Sequence, residues 1–112
     1  MLNSGKKEDV SRIKNHVRVD HDFDDESLQQ FLEAAQITLQ GMIGSDANFA
    51  AFYDVEENAK LFDIATLFLV DHWYKTRSAT TSLTFSEAPL SVKTIVLLLK
   101  PNYLSYKRQN EV

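Results

Sequence analysis

Apolar residues recur along this chain at helical spacing almost everywhere that they cluster. Val10, Ile13 and Val17 mark a short first helix from roughly Lys7 to His16. Leu28, Phe31, Leu32, Ala35, Leu39 and Met42 form one clean stripe on a second helix, which starts near Asp22 or Asp24 and ends about Met42. Gly41 and Gly44 bracket that end, where a left-handed cap is easiest for glycine. Asp54, with Glu57 three residues on, reads as the capping pair of a long third helix. Pro89 suits the first turn of a fourth, carrying Leu90, Val92, Ile95, Val96, Leu98 and Leu99, and Pro101 is expected to stop it.

The third helix differs from the others. Between Asn58 and Arg77, Leu61, Ala65 and Phe68 share one face, and Phe62, Leu69 and Trp73 the next. Leu67 and Tyr74 lie nearly opposite the first set. A surface helix shows one apolar stripe roughly 100° wide, whereas a helix apolar nearly all round is buried on most sides. About twenty residues make a rod of about 30 Å, close to the width of a small domain. The expectation is a central helix wrapped by its own chain and by a neighbouring subunit. Phe49, Phe52 and Tyr53 in the preceding loop, with Trp73, Tyr74 and Arg77, are the interface candidates, since aromatics supply much of the burial at such surfaces.

The fold class is therefore all-α: a small four-helix domain with a long central third helix, over residues 1–101. Residues 102–112, polar and mixed in charge, read as a flexible C-terminal tail. At 112 residues with 44% apolar and 25% charged content, the chain is one ordinary globular domain. There is no apolar h-region behind Lys6 and Lys7, and no apolar run approaches the ~18 residues of a membrane span. A soluble intracellular protein is expected, with no membrane partner.

Charge and candidate chemistry exclude more than they assign. Without cysteine there is no disulfide frame, thiolate nucleophile or thiolate metal site. Asp20-x-Asp22-x-Asp24 opens like a calcium loop, but Asp25 stands where the glycine belongs and Phe31 where the bidentate Glu belongs. A helix-capping acidic turn accounts for it better. Asp71-His72 reverses the His-Asp order of metal-dependent phosphohydrolases, and His16 and His21 do not complete a ligand set. Asp71 and Lys75 instead make a helix pair four residues apart. With three glycines and no nucleophile motif, neither an enzyme, a cofactor nor a metal is expected.

The net charge is −4, and no Lys or Arg occurs between Val19 and Ala59. Gripping DNA needs clustered basic side chains to displace counterions. The alternative class, a small helical DNA-binding or regulatory adaptor with a helix-turn-helix, would have to read bases with Gln29, Gln30, Gln36 and Gln40 on an acid-flanked helix.

Four runs in order carry a family resemblance. They are Val10-x-x-Ile13-Lys14-x-His16-Val17-Arg18-Val19-Asp20-x-Asp22, then a Leu-rich helix through Ala34-Ala35. Leu69-Val70-x-His72-Trp73-Tyr74-x-x-Arg77 and Pro89-Leu90-x-Val92 with a leucine-rich close follow. Over about Val10 to Leu99 the chain resembles the head–tail connector (head-completion or adaptor) proteins of long-tailed phages and prophages. The resemblance implies a non-catalytic virion protein, made in the host cytoplasm and resident in the neck. It implies a homo-oligomeric ring, dodecameric in the virion, between the portal protein and a tail-side neck protein. DNA would pass through that ring without specific binding. Asp20 and Asp22 would shape a turn, and Trp73, Tyr74 and Arg77 would pack or pair at a helix end. Lys100, Tyr103, Tyr106, Lys107 and Arg108 become the expected portal-docking tail, ordering on its partner.

Overall fold

The computed structural model describes residues 1–18, 25–76 and 88–111. All regular structure among them is helical: α1 (Lys7–Val17), α2 (Asp25–Ile43), a 3-10 segment (Ala47–Asp54), α3 (Glu56–Thr76) and α4 (Leu90–Asn110). The expected all-α architecture is thus the observed one. The acidic turn with Asp20, Asp22 and Asp24, the start expected for α2, and Arg77 all lie outside the described residues.

Helix α3 is central. It packs against α1, α2, α4 and the 3-10 segment. Glu56 and Glu57 sit in its first turn and Lys75 in its last, each sign favouring the end of the helix dipole it occupies. Val55, rather than Asp54, holds the cap position, with the Ala59 N–H donating to its carbonyl at 2.8 Å. Phe62, Ala65, Leu67, Leu69, Val70 and Trp73 are all buried. Buried Thr66 satisfies its hydroxyl by donating to the Phe62 carbonyl at 2.8 Å.

The partners of α3 present single stripes to it. Helix α2 buries Leu28, Leu32, Ala35, Leu39 and Ile43, and α1 buries Val10, Ile13 and Val17. Neither glycine at the end of α2 has the expected left-handed backbone. Arg18 does, at φ 65° and ψ 49°, closing α1 with its N–H donated to the Lys14 carbonyl. The first residues are also part of the fold. Leu2 is buried, its N–H donates to Asp63 Oδ1 at 3.2 Å, and its carbonyl accepts from Gln36 Nε2 at 2.6 Å.

Helix α4 does not stop at Pro101 but runs through it to Asn110. A proline inside a helix removes one hydrogen bond and costs about 3 kcal/mol, so something downstream must offset it. Tyr103 does. It is buried, its hydroxyl accepts the Asp46 N–H at 3.1 Å, and its ring meets Phe52 edge-on at 5.2 Å. Phe52 also receives Tyr53 at 5.2 Å and Tyr106 at 5.6 Å, both edge-on. Each such pair contributes about 0.5–1.5 kcal/mol beyond its buried area. Residues 102–110, expected as part of a flexible tail, instead continue α4 as helix, and Tyr103 is core.

Candidate assembly surface

The interface candidates of the sequence divide sharply. Trp73 is 1% exposed, and Phe52 and Tyr53 are buried as well, all within one copy of the chain. They belong to the core of the single subunit. Phe31 lies 6.3 Å from Trp73 between ring centroids, and Tyr53 lies 5.0 Å from Phe62. Burial, then the neighbouring Tyr103, pushes the Tyr53 phenol well above its usual range, and its hydroxyl donates to the Gly44 carbonyl at 2.5 Å. Phe49 and Tyr74 are half-buried against the same core. The apolar girth of α3 is real, but the other helices of one subunit cover most of it.

The docking candidates divide too. Tyr103 and Tyr106 anchor α4, and Lys107 lies 3.8 Å from Asp46 and over the Phe49 ring at 5.7 Å. Lys100 and Arg108 are exposed and form no ion pair among the described residues.

What remains open is the far side of α4. Val92, Val96, Leu99 and Tyr103 face the core. The opposite side carries Leu90 at 78% exposure, Leu97 at 62%, and Leu98 and Leu104 at 52% each. Leu90, Leu97 and Leu104 are seven residues apart, which is two helical turns, so they form one line. Exposed Pro101 lies between the last two, and Lys100 and Arg108 flank them one turn away. Solitary exposed leucines are ordinary on a surface, but an apolar row with a charged border is the kind of surface that a partner covers.

This face was legible in principle. The run Ile95-Val96-Leu97-Leu98-Leu99 cannot point one way on a helix, so part of it must face outward. Ending the helix at Pro101 removed Leu104 and hid the seven-residue spacing.

A groove of about 280 Å³ continues the surface between α4 and the end of α2, lined by Gly41, Met42, Val96, Leu97 and Lys100. Exposed Ile37, one turn before Gly41, extends the apolar area. A larger cleft of about 440 Å³ lies among the N-terminal turn, α1 and the start of α2, bordered by Lys6, Lys7 and Lys14. Lys14 is paired there with Asp25 at 3.1 Å. Asp71 and Lys75 form the expected pair at 3.1 Å. Among the described residues no three His, Asp or Glu side chains converge as a metal site would require, and no helix is long and apolar enough to cross a membrane. Two of the four glutamines that a DNA-reading helix would use are engaged internally: Gln36 holds the Leu2 carbonyl, and Gln40 donates to Met1 Sδ at 3.7 Å.

Comparison with known proteins bears on this geometry. The family described as phage gp6-like head-tail connector protein matches residues 7–100, from the first residue of α1 to the turn of α4 just before Pro101. No curated protein and no solved structure gives a significant match. With most of the described helices inside that one match, the chain belongs to the phage gp6-like head-tail connector family.

Proposed function

We propose that this chain is the repeating subunit of a ring beneath the portal, extending the DNA channel and offering its far side to a tail-side neck protein. The family match over residues 7–100 carries this reading. Two features support it. The outward apolar row on α4 needs a cover that the described residues of one copy do not supply, and contact between two different patches of identical subunits gives a ring wherever the rotation between neighbours closes. The net charge of −4 and the absence of Lys and Arg between Val19 and Ala59 suit a conduit, because many phosphate contacts would hold DNA rather than let it pass.

Electron microscopy of the protein mixed with its phage's portal complex tests the proposal. The expected image adds one ring of density coaxial with the portal. Unchanged portal particles would refute it. A low-salt gel shift separates the rival class: a helical DNA-binding adaptor retards duplex DNA, and a conduit subunit leaves it unshifted.

A further inference from the structure

Resting on the ring reading above, we propose how neighbouring copies meet: the outer row of α4 on one subunit packs against the open edge of α3 on the next. The α4 side is Leu97, Leu98 and Leu104, bordered by Lys100 and Arg108. The α3 side is Ile64, which is exposed, with half-buried Leu61 and Phe68 beside it. At helical spacing Glu57, Leu61, Ile64 and Phe68 fall within a narrow arc of α3, so the apolar strip ends in an acid.

The occupant is argued from charge. Lys100 and Arg108 form no ion pair among the described residues, and neither do Asp54 and Glu57 at the start of α3. The other charges on the α3 edge cancel within the subunit, Lys60 with Glu56 at 3.2 Å and Lys75 with Asp71 at 3.1 Å. One patch is thus apolar with uncompensated positive charge, and the other is apolar with uncompensated negative charge. Opposed this way they attract, whereas α4 against α4 would bring Lys100 and Arg108 toward their own copies. Ile37 does not compete as the acceptor, because through Gly41 and the groove it adjoins Leu97 and belongs to the α4 side. The two patches occupy different helices, so the contact is head-to-tail.

The chain has no cysteine, so introduced thiols report one contact at a time. Full-length Ile64→Cys, Leu97→Cys and Leu104→Cys variants, and the doubles pairing position 64 with each α4 position, are oxidised in solution and again in assembled particles. Circular dichroism first confirms an unchanged fold, as expected for substitutions at exposed positions. A ladder of covalent multimers from the doubles only, lost in Lys100→Glu and restored by adding Glu57→Lys, is the expected result. Dimers from Leu97→Cys alone would show α4 meeting α4 and overturn the assignment. So would doubles that never cross-link while the particles still carry a multi-copy ring, and in that case the ring reading survives. Particles with no ring of this protein would overturn both.

Discussion

The ring of Tyr103 lies against Gly44 so closely that a Cβ on Gly44 would overlap it. Gly44 is therefore required for the packing of α4 rather than for a turn, since its backbone is not left-handed. The ring cannot swing away, because Phe52 and Tyr53 flank it and its hydroxyl holds the Asp46 N–H. Gly44→Ala should cost about 1–3 kcal/mol, as overpacking does in a fixed core. Tyr103→Phe should cost about 1 kcal/mol by orphaning that N–H. Urea unfolding of both variants checks the order, and a neutral Gly44→Ala would mean that the contact is slack.

Truncation after Pro101 follows from the same contact. The lost segment carries Tyr103 and Tyr106, so the shortened chain should lose about 3–5 kcal/mol, the cost of emptying an aromatic site in a core. A melting temperature lower by more than about 10 °C is the expected reading. An unchanged melting temperature would restore residues 102–112 to the status of a free tail.

Arg18 closes α1 in the left-handed region, which is costly for a residue bearing a Cβ. Its side chain is exposed. Arg18→Gly should therefore stabilise the protein by about 0.5–1 kcal/mol, relief of the cap outweighing the greater freedom of glycine in the unfolded chain. Thermal melts of the pair decide the sign.

Alkaline pH should weaken the fold through Tyr53. Burial first, and Tyr103 second, raise its pKa in the native state. Below a pH of about 10 both states keep the proton, and no pH dependence arises from this group. Above it, the unfolded chain releases the proton while the native state retains it, so stability falls by up to about 1.4 kcal/mol per pH unit. Tyr53→Phe lacks this proton, along with the hydrogen bond to Gly44. Less stable at neutral pH, it should converge on the parent protein between pH 10 and 11 in parallel urea titrations, a range given as about one unit above the ordinary phenol value. A constant gap would contradict the assignment.

Local periodicity carried most of the architecture. The stripe from Leu28 to Met42 placed α2, and the many-sided apolar girth from Leu61 to Trp73 placed α3 at the centre. Two things were not local. Whether one subunit covers Trp73 depends on how α2 and α4 pack on α3, which no spacing within α3 records. Whether Pro101 ends a helix depends on Tyr103 finding Gly44, Asp46 and Phe52, more than fifty residues upstream by each of the long-range contacts, as the 57-residue separation of Tyr103 from Asp46 illustrates. Extending α4 by nine residues added Leu104 to an open apolar row on α4 and made Tyr103, an expected docking side chain, part of the core. The buried N-terminal Leu2 is a third such case, since one leucine in a polar stretch carries no period.

Native mass spectrometry of the wild-type protein bound to its portal complex tests the central claim most directly, because it counts copies. A single added mass step corresponding to a closed ring of this chain is the expected spectrum. Portal carrying one copy, a ragged series of copies, or none would contradict the account.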